Sequence, residues 1–269
     1  MDRGSPGQRN KPKNMVQSIE RAFLILDVLG QYPQGLSLGE LSEKIGLSKG
    51  TAHRLVSTIS YFDYARQNPS SKKYCLGFKV VELGNLLLKQ LDLRNAAGPY
   101  LVGLAESVRE TVHLVVRDYN EAVYIDKVDL HSKQAGLQMV SSVGTRIPMH
   151  CSAVGKVILS HLSDGEIDRI AAACGLPERT ANTITDLAEL KKCLDIVRRK
   201  GFAVDDEENE KGIRCVAAPI LNESSEVVAA VSISGPTVRL TMSQIQNTLS
   251  AKVRETCMEI SRELGFNAR

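Results

Sequence analysis

The sequence has no uninterrupted apolar run close to the roughly 20 residues that a membrane-spanning helix needs. Residues 1–14 lack the apolar segment of a secretory signal and are expected to form a disordered basic tail. The six cysteines are widely scattered, and none of them forms a CxxC pair. These absences predict a cytoplasmic protein with reduced thiols, not a membrane protein or a disulfide scaffold.

Signatures of cofactor binding and catalysis are also missing. The chain has no GxGxxG motif and no P-loop, and its five histidines show no HExxH or comparable ligand spacing. No nucleophile signature surrounds Cys151 or Cys215, although His150 precedes Cys151 directly. We therefore expect no enzyme, no cofactor and no dedicated metal site. An incidental metal held by His150, Asp205 and Cys215 remains conceivable.

The segment Ser37–Ile59 carries the local signals of a helix-turn-helix. Ser37 and Glu40 have the spacing of a capping box, and Gly46 can take the left-handed conformation that ends the helix. Ser48 is expected to cap a second helix. The apolar residues of that helix recur at positions i, i+3, i+4 and i+7, which are Ala52, Leu55, Val56 and Ile59.

The outer face of this second helix is polar and basic, which is typical of a helix that reads a major groove. An ordinary helical hairpin with a solvated face is the alternative. The charge favours DNA, because residues 1–75 hold 11 Lys and Arg against 6 Asp and Glu. The predicted DNA-contacting residues of this helix and its cap are Ser48, Lys49, Thr51, His53 and Arg54.

A basic β-hairpin is predicted after the helix-turn-helix, with strands around residues 64–67 and 72–76. Lys72 and Lys73 would contact phosphate rather than bases. Ser18 is expected to cap a helix that precedes the helix-turn-helix. Residues 15–76 are thus predicted to form a winged helix-turn-helix domain, followed by a linker helix over residues 77–93.

Residues 94–269 are predicted to form a mixed α/β domain, so that the chain as a whole is α/β (α+β). Helices are expected near 96–109, 152–162, 164–173, 187–200 and 241–264, and strands near 112–119, 122–128, 137–143, 215–221 and 227–235.

Two features of this second domain indicate a binding site. Ser232 and Ser234 alternate with apolar residues, so both hydroxyl groups point to one face of a buried strand. They need partners, which are either a ligand carboxylate or the neighbouring backbone. Ser152 is expected to cap a helix whose free N–H groups either bind an anion or meet only water and Ser152.

Several blocks of the chain resemble the IclR family of bacterial transcriptional regulators. They are VQSIERAFLILDVL (16–29), LSLGELSEKIGLSKGTAHRLVSTI (36–59), RIPMHCSAVGKVILSHL (146–162), GFAVDDEENEKGIRCVAAPI (201–220) and VVAAVSISGP (227–236). The resemblance implies an N-terminal winged helix, a linker helix and a C-terminal GAF-like effector domain. It also implies a homodimer or dimer of dimers on operator DNA, with a small organic acid or aromatic catabolite as effector.

The resemblance also assigns the effector pocket. Its residues would be Leu137, Met139, Ala153, Val154, Asp205, Cys215, Ser232 and Ser234. The first two form part of the apolar wall, and Ala153 and Val154 contribute backbone amides; Val154 stands where a small residue is usual. Every polar contact except Asp205 can donate a hydrogen bond, which favours a carboxylate effector. The alternative function is a DNA-binding architectural protein whose C-terminal domain only oligomerises.

Overall fold

The computed structural model of the protein describes residues 14–89, 92–130 and 141–267, and these form two compact units that divide at about residue 91. Leu137 and Met139, the predicted apolar wall, lie outside the described residues, as does nearly all of the predicted tail. Within the described ranges, no helix is both long enough and apolar enough to cross a membrane.

The first unit is a winged helix-turn-helix, as predicted. Its elements are α1 (Gln17–Gly30), α2 (Leu38–Lys44), α3 (Lys49–Tyr61), β1 (Ala65–Gln67), β2 (Tyr74–Leu76) and α4 (Phe78–Lys89). The capping box is present, because the Ser37 amide donates to Glu40 Oε2 at 2.7 Å and the Glu40 amide to Ser37 Oγ at 3.3 Å. Gly46 has a φ of 65°, as the end of α2 requires.

The predicted start of α1 is wrong. The helix begins at Gln17, with Val16 as its N-cap and no side-chain capping bond. The carbonyl of Val16 accepts hydrogen bonds from the amides of Ile19 and Glu20, at 3.0 and 3.1 Å. Ser18 therefore lies inside the first turn.

The second unit is built on a six-stranded antiparallel sheet with the strand order β5-β4-β3-β8-β7-β6. Its strands are β3 (Thr111–Asp118), β4 (Glu121–Val128), β5 (Arg146–Ile147), β6 (Ala203–Asp206), β7 (Ile213–Leu221) and β8 (Val227–Pro236). Its helices are α5 (Asp92–Val108), α6 (Ala153–Ser160), α7 (Asp164–Cys174), α8 (Leu187–Lys200), α9 (Met242–Gln244) and α10 (Ser250–Glu263).

Residues on the two faces of this sheet alternate along each strand. One face packs with α6, α7 and α8 in a core that includes Val115, Ala217 and Ala230. The helices α5 and α10 pack on the sheet through β3 and β7. On β7, the amide of Leu221 donates to Ser261 Oγ of α10 at 2.9 Å.

Two predicted elements differ from the structure. Residues 141–143 are not in a strand, and residues 137–140 lie outside the described ranges. The long C-terminal helix contains a π-helical turn, Ile245–Leu249, between α9 and α10. Strands β5 and β6 are absent from the prediction because two to four residues are too few for a period-2 pattern to be recognised.

Candidate functional site

The outer face of α3 presents the predicted DNA-contacting side chains. Lys49, His53 and Arg54 are exposed, and Thr51 is half-buried. The opposite face packs into the core of the first unit through Ala52, Val56 and Ile59. Lys49 and Arg54 take part in none of the ion pairs that the described residues form. Both cationic groups are thus available to a phosphate or a base edge.

The N-terminus of α3 is capped by its own serine. Ser48 Oγ accepts a hydrogen bond from the amide of Thr51 at 3.3 Å and lies 3.0 Å from Thr51 Oγ1. The next residue but one, Gly50, is exposed, and no heavy atom lies within 4 Å of the position that a Cβ would take there. The packing of the unit therefore gives no reason for glycine at this helical position.

The wing is the hairpin β1–β2, as predicted. Its turn is held by Asn68, whose Oδ1 accepts hydrogen bonds from the amides of Ser70 and Ser71 at 2.9 and 3.0 Å. Lys72 is exposed and has a φ of 57°, whereas Lys73 is half-buried. The two lysines directly follow this turn, at the tip of the wing.

In the second unit, strand pairing brings four predicted site residues together on neighbouring strands. Asp205 of β6 lies opposite Cys215 of β7, and Cys215 lies opposite Ser234 of β8. Ser232, two residues before Ser234 and on the same face of β8, lies opposite His113 of β3. Because directly opposed residues of antiparallel strands point to the same face, these side chains form one polar surface. We call Asp205, Cys215, Ser232, Ser234 and His113 the polar row.

The two serines share a buried face, as predicted, but their partner is a residue that sequence reasoning missed. Nδ1 of His113 lies 3.5 Å from Ser232 Oγ and 3.4 Å from Ser234 Oγ, and Nε2 lies 2.8 Å from Ser141 Oγ. Burial, with a smaller contribution from Lys127, lowers the pKa of His113 to about 3. The imidazole is therefore neutral at physiological pH.

The aromatic ring of Tyr124 lies beside His113, with 4.7 Å between ring centroids. Burial raises the pKa of the Tyr124 phenol, whereas it lowers that of His113. Tyr124 was not predicted as a site residue. The signal in the sequence is that each residue stands between two apolar neighbours, His113 between Val112 and Leu114 and Tyr124 between Val123 and Ile125.

Asp205 is the acidic member of the polar row and is 3% exposed. Its Oδ1 accepts hydrogen bonds from the amides of Glu208 and Asn209, at 2.8 and 3.3 Å. Burial raises the pKa of Asp205 to about 7, against the opposing effect of these bonds and of Lys156. The carboxyl is thus partly protonated near neutral pH.

The two cysteines near Asp205 are protonated thiols. Burial, and then the proximity of Asp205, raises the pKa of Cys151 to about 12 and raises that of Cys215 further. Neither is an activated nucleophile.

His150, the histidine next to Cys151, is bonded through Nε2 to the carbonyl of Pro177 at 3.1 Å. Within the described ranges, no cluster of three or more His, Cys, Asp and Glu side chains could hold a metal ion.

A buried ion pair anchors the first turns of α6 to the loop after β6. Lys156 Nζ lies 2.5 Å from Glu208 Oε1, and the side chains are 2% and 10% exposed. The second carboxylate oxygen of Glu208 has no hydrogen-bond partner among the described residues. Sequence reasoning assigned neither residue a role.

The N-terminus of α6 is tightly held, and Ser152 caps it as predicted. Ser152 Oγ accepts a hydrogen bond from the amide of Gly155 at 3.2 Å and donates one to the carbonyl of Pro148 at 2.7 Å. Ala153 and Val154 are buried. A Cβ on Gly155 would overlap the backbone of Met149, so the helix lies directly against the segment that precedes it.

Comparison with known proteins gives matches along most of the chain. Residues 18–69 match the IclR helix-turn-helix domain, and residues 85–262 match the C-terminal domain of bacterial IclR transcriptional regulators. The chain is 35% identical over 254 residues to the transcriptional regulator XynR of Escherichia coli K12, which covers 94% of this chain and 99% of that protein. It is 33% identical over 267 residues to the E. coli repressor AllR, covering 99% and 97%. The crystal structure of the Thermotoga maritima IclR superposes with a TM-score of 0.78 at 35% identity, covering 93% of this chain and 99% of that one.

Proposed function

The chain belongs to the IclR family of bacterial transcriptional regulators, and on that premise we propose that a small organic acid bound at the polar row modulates its binding to operator DNA. Membership of the family accounts for the general function, which is transcriptional regulation through a helix-turn-helix. The proposal of an effector rests on one observation, which is a buried polar surface in the core of the second unit. The relatives are named as regulators, and this does not favour a purely architectural role.

The exposed residues Lys49 and Arg54 support the assignment of α3 as the recognition helix. A helix in the major groove contacts base edges through its N-terminal turns, where both residues lie. We assign base contacts to Arg54 and Thr51, and phosphate contacts to Ser48 and Lys49. Lys72 and Lys73 add phosphate contacts from the wing. His53 adds a further DNA contact from the exposed face of α3.

The chemistry of the polar row supports a carboxylate as the effector. The hydroxyls of Ser232 and Ser234 and the thiol of Cys215 can donate hydrogen bonds to it. Asp205 would repel a carboxylate if it were ionised, but its pKa, raised to about 7, lets the protonated carboxyl donate an O–H hydrogen bond at neutral or lower pH. The backbone amides of Ala153 and Val154 would complete the site.

The effector is tested with a panel of small carboxylic acids, each paired with its primary amide. Calorimetry on the full-length protein should show that an acid binds and that its amide binds more weakly. The double variant Ser232→Ala/Ser234→Ala should weaken binding of the acid by about 1–3 kcal/mol. Its affinity for DNA, measured in the absence of the acid, should not change. Ser224→Ala, in an exposed turn, is the matched control. Undiminished affinity in the double variant would place the effector elsewhere.

We also propose that the protein binds DNA as a homodimer or a dimer of dimers, because one recognition helix covers only one half-site. The first unit has exposed apolar side chains on α1 and α4 that a second copy could cover. They are Ile19, Phe23, Leu24, Phe78, Val81, Leu83, Leu86 and Leu87. Light scattering should give at least a dimer at micromolar concentration, and a monomer in the presence of DNA would contradict this.

A further inference from the structure

The second unit has a cavity between α6, α7 and the segment that precedes α6. Its volume is about 140 Å³. None of the residues that we assign to the effector is among the described residues that line it. Its apolar walls are formed mainly by Met149, Leu159, Ile167, Ile170, Cys174 and Leu190.

The size of this cavity matches a single aromatic ring. Gly175 and Pro177 in its lining are exposed, so the cavity is open to solvent on that side. An apolar cavity of about 150 Å³ is known to accept benzene. The cavity is therefore large enough for one six-membered ring.

One lining residue supplies a specific polar contact. His150 Nε2 lies 3.1 Å from the carbonyl oxygen of Pro177, which can only accept, so Nε2 carries the proton. Nδ1 of the neutral ring is then an acceptor, and no described residue donates a hydrogen bond to it. Burial lowers the pKa of His150, which keeps the ring neutral.

The lining offers no counter-charge to an anion. None of the described residues that line the cavity is a lysine or an arginine, and its one acidic residue, Glu121, is paired with Arg146 at 3.3 Å. A bound carboxylate would meet the lone pair of His150 Nδ1, which cannot donate to it. The cavity thus differs in chemistry from the polar row, where donors predominate.

We propose that this cavity is a second ligand site, which takes a neutral monocyclic phenol whose hydroxyl group donates a hydrogen bond to Nδ1 of His150. The ring fills the apolar part of the cavity, between α6 and α7. The site is separate from that of the carboxylate effector, because none of the described residues assigned to the effector lines this cavity.

The test uses phenol and toluene as probes, which share a ring and differ in the donor. Ligand-observed NMR on the full-length protein should show that phenol binds and that toluene binds about fivefold more weakly, the value of one hydrogen bond of about 1 kcal/mol. Benzoate should not compete with phenol. Equal affinity of phenol and toluene, or competition by benzoate, would overturn the assignment of His150 and of the neutral ligand.

A matched pair of variants locates the site. Ala171 is half-buried and lines the cavity, whereas its neighbour Ala172 is exposed. Ala171→Leu should fill the cavity and abolish phenol binding, and Ala172→Leu should leave it unchanged. The double variant Ser232→Ala/Ser234→Ala should also leave it unchanged. Phenol binding that survives Ala171→Leu, or that is lost in the serine variant, would overturn the proposal.

Discussion

The ammonium group of Lys156 lies 2.5 Å from the carboxylate of Glu208, and both side chains are buried. The two residues belong to α6 and to the loop after β6, so this pair fixes the position of α6 over the strand that carries Asp205. A buried charge is costly unless it is paired. The pair therefore makes the placement of α6 sensitive to the loss of either partner.

Lys156→Met should lower the free energy of unfolding by about 3–5 kcal/mol, because it leaves the carboxylate of Glu208 buried without a counter-charge. Lys156→Met/Glu208→Leu should recover much of that loss. Urea denaturation measures both. Lys191→Met is the control, because Lys191 lies 2.5 Å from Asp168 in a pair whose side chains are 30% and 52% exposed. Its loss should change stability by less than about 1 kcal/mol. A double variant no more stable than Lys156→Met would contradict the prediction.

The two groups of DNA-contacting residues should respond differently to mutation. Arg54→Ala should weaken binding to the operator by about 1–3 kcal/mol and relax the sequence preference of the protein, because a base contact is lost. Lys73→Ala should weaken binding to all sequences alike and reduce the salt dependence, because a phosphate contact is lost. Fluorescence anisotropy on a selected operator and a scrambled duplex, at several salt concentrations, measures both effects.

Lys192→Ala is the control for this experiment, since it removes one exposed positive charge from α8 of the second unit. It should leave operator affinity unchanged. If Arg54→Ala folds normally and retains both affinity and sequence preference, α3 does not read bases through Arg54.

Gly50→Ala should separate stability from function. The substitution should stabilise the protein by about 0.4–1 kcal/mol, because alanine favours a helix and nothing lies within 4 Å of the new Cβ. It should also weaken DNA binding, because the methyl group holds the backbone of α3 away from the groove. Gly103→Ala, on the exposed side of α5 and equally free of contacts, should stabilise without affecting DNA. Unchanged DNA affinity in Gly50→Ala would show that the glycine is not needed for close approach.

His113 and Asp205 should have opposite effects on the pH dependence of stability. His113 falls from a pKa of 6.5 to about 3 on folding, so it takes up a proton only in the unfolded chain and stability rises with pH. Asp205 rises from 3.8 to about 7, so the folded chain holds the extra proton and stability falls as pH rises. Between about pH 4 and 6.5 the two slopes, each about 1.4 kcal/mol per pH unit, cancel.

Substitution should reveal each slope. Relative to the wild type, the stability of His113→Phe should fall with rising pH over this range, and that of Asp205→Asn should rise. The double variant His113→Phe/Asp205→Asn should regain the wild-type slope. Urea denaturation at half-unit intervals of pH gives these curves. Parallel curves for the two single variants would contradict the opposed shifts.

Sequence reasoning predicted what short-range chemistry determines. The contacts of Ser37 with Glu40 and of Ser48 with Thr51 each span three residues, so the capping residues and the helix they begin can be recognised together. The prediction that Ser18 caps α1 failed within the same short range. A serine at a plausible position does not cap a helix when the backbone of Val16, two residues earlier, already begins it.

Long-range pairing could not be predicted in this way. His113 and Ser232 are 119 residues apart, and they meet only because β3 lies beside β8 in the sheet. The period-2 pattern showed that Ser232 and Ser234 share a face, but it carries no information about the neighbouring strand. Lys156 and Glu208 were missed for the same reason, and the effector roles of Asp205, Cys215 and the serines remain predictions.

The alternation along β8 has an evolutionary consequence. Val231 and Ile233 are fully buried on one face of the strand, where a change of volume disturbs packing. Ser232 and Ser234 lie on the other face, which we propose binds the effector, so that a change of hydrogen-bonding groups there alters what can bind. Mutations at neighbouring positions are therefore subject to separate constraints. On this proposal, a lineage can change its effector by exchanging Ser232 and Ser234 while Val231 and Ile233 preserve the fold.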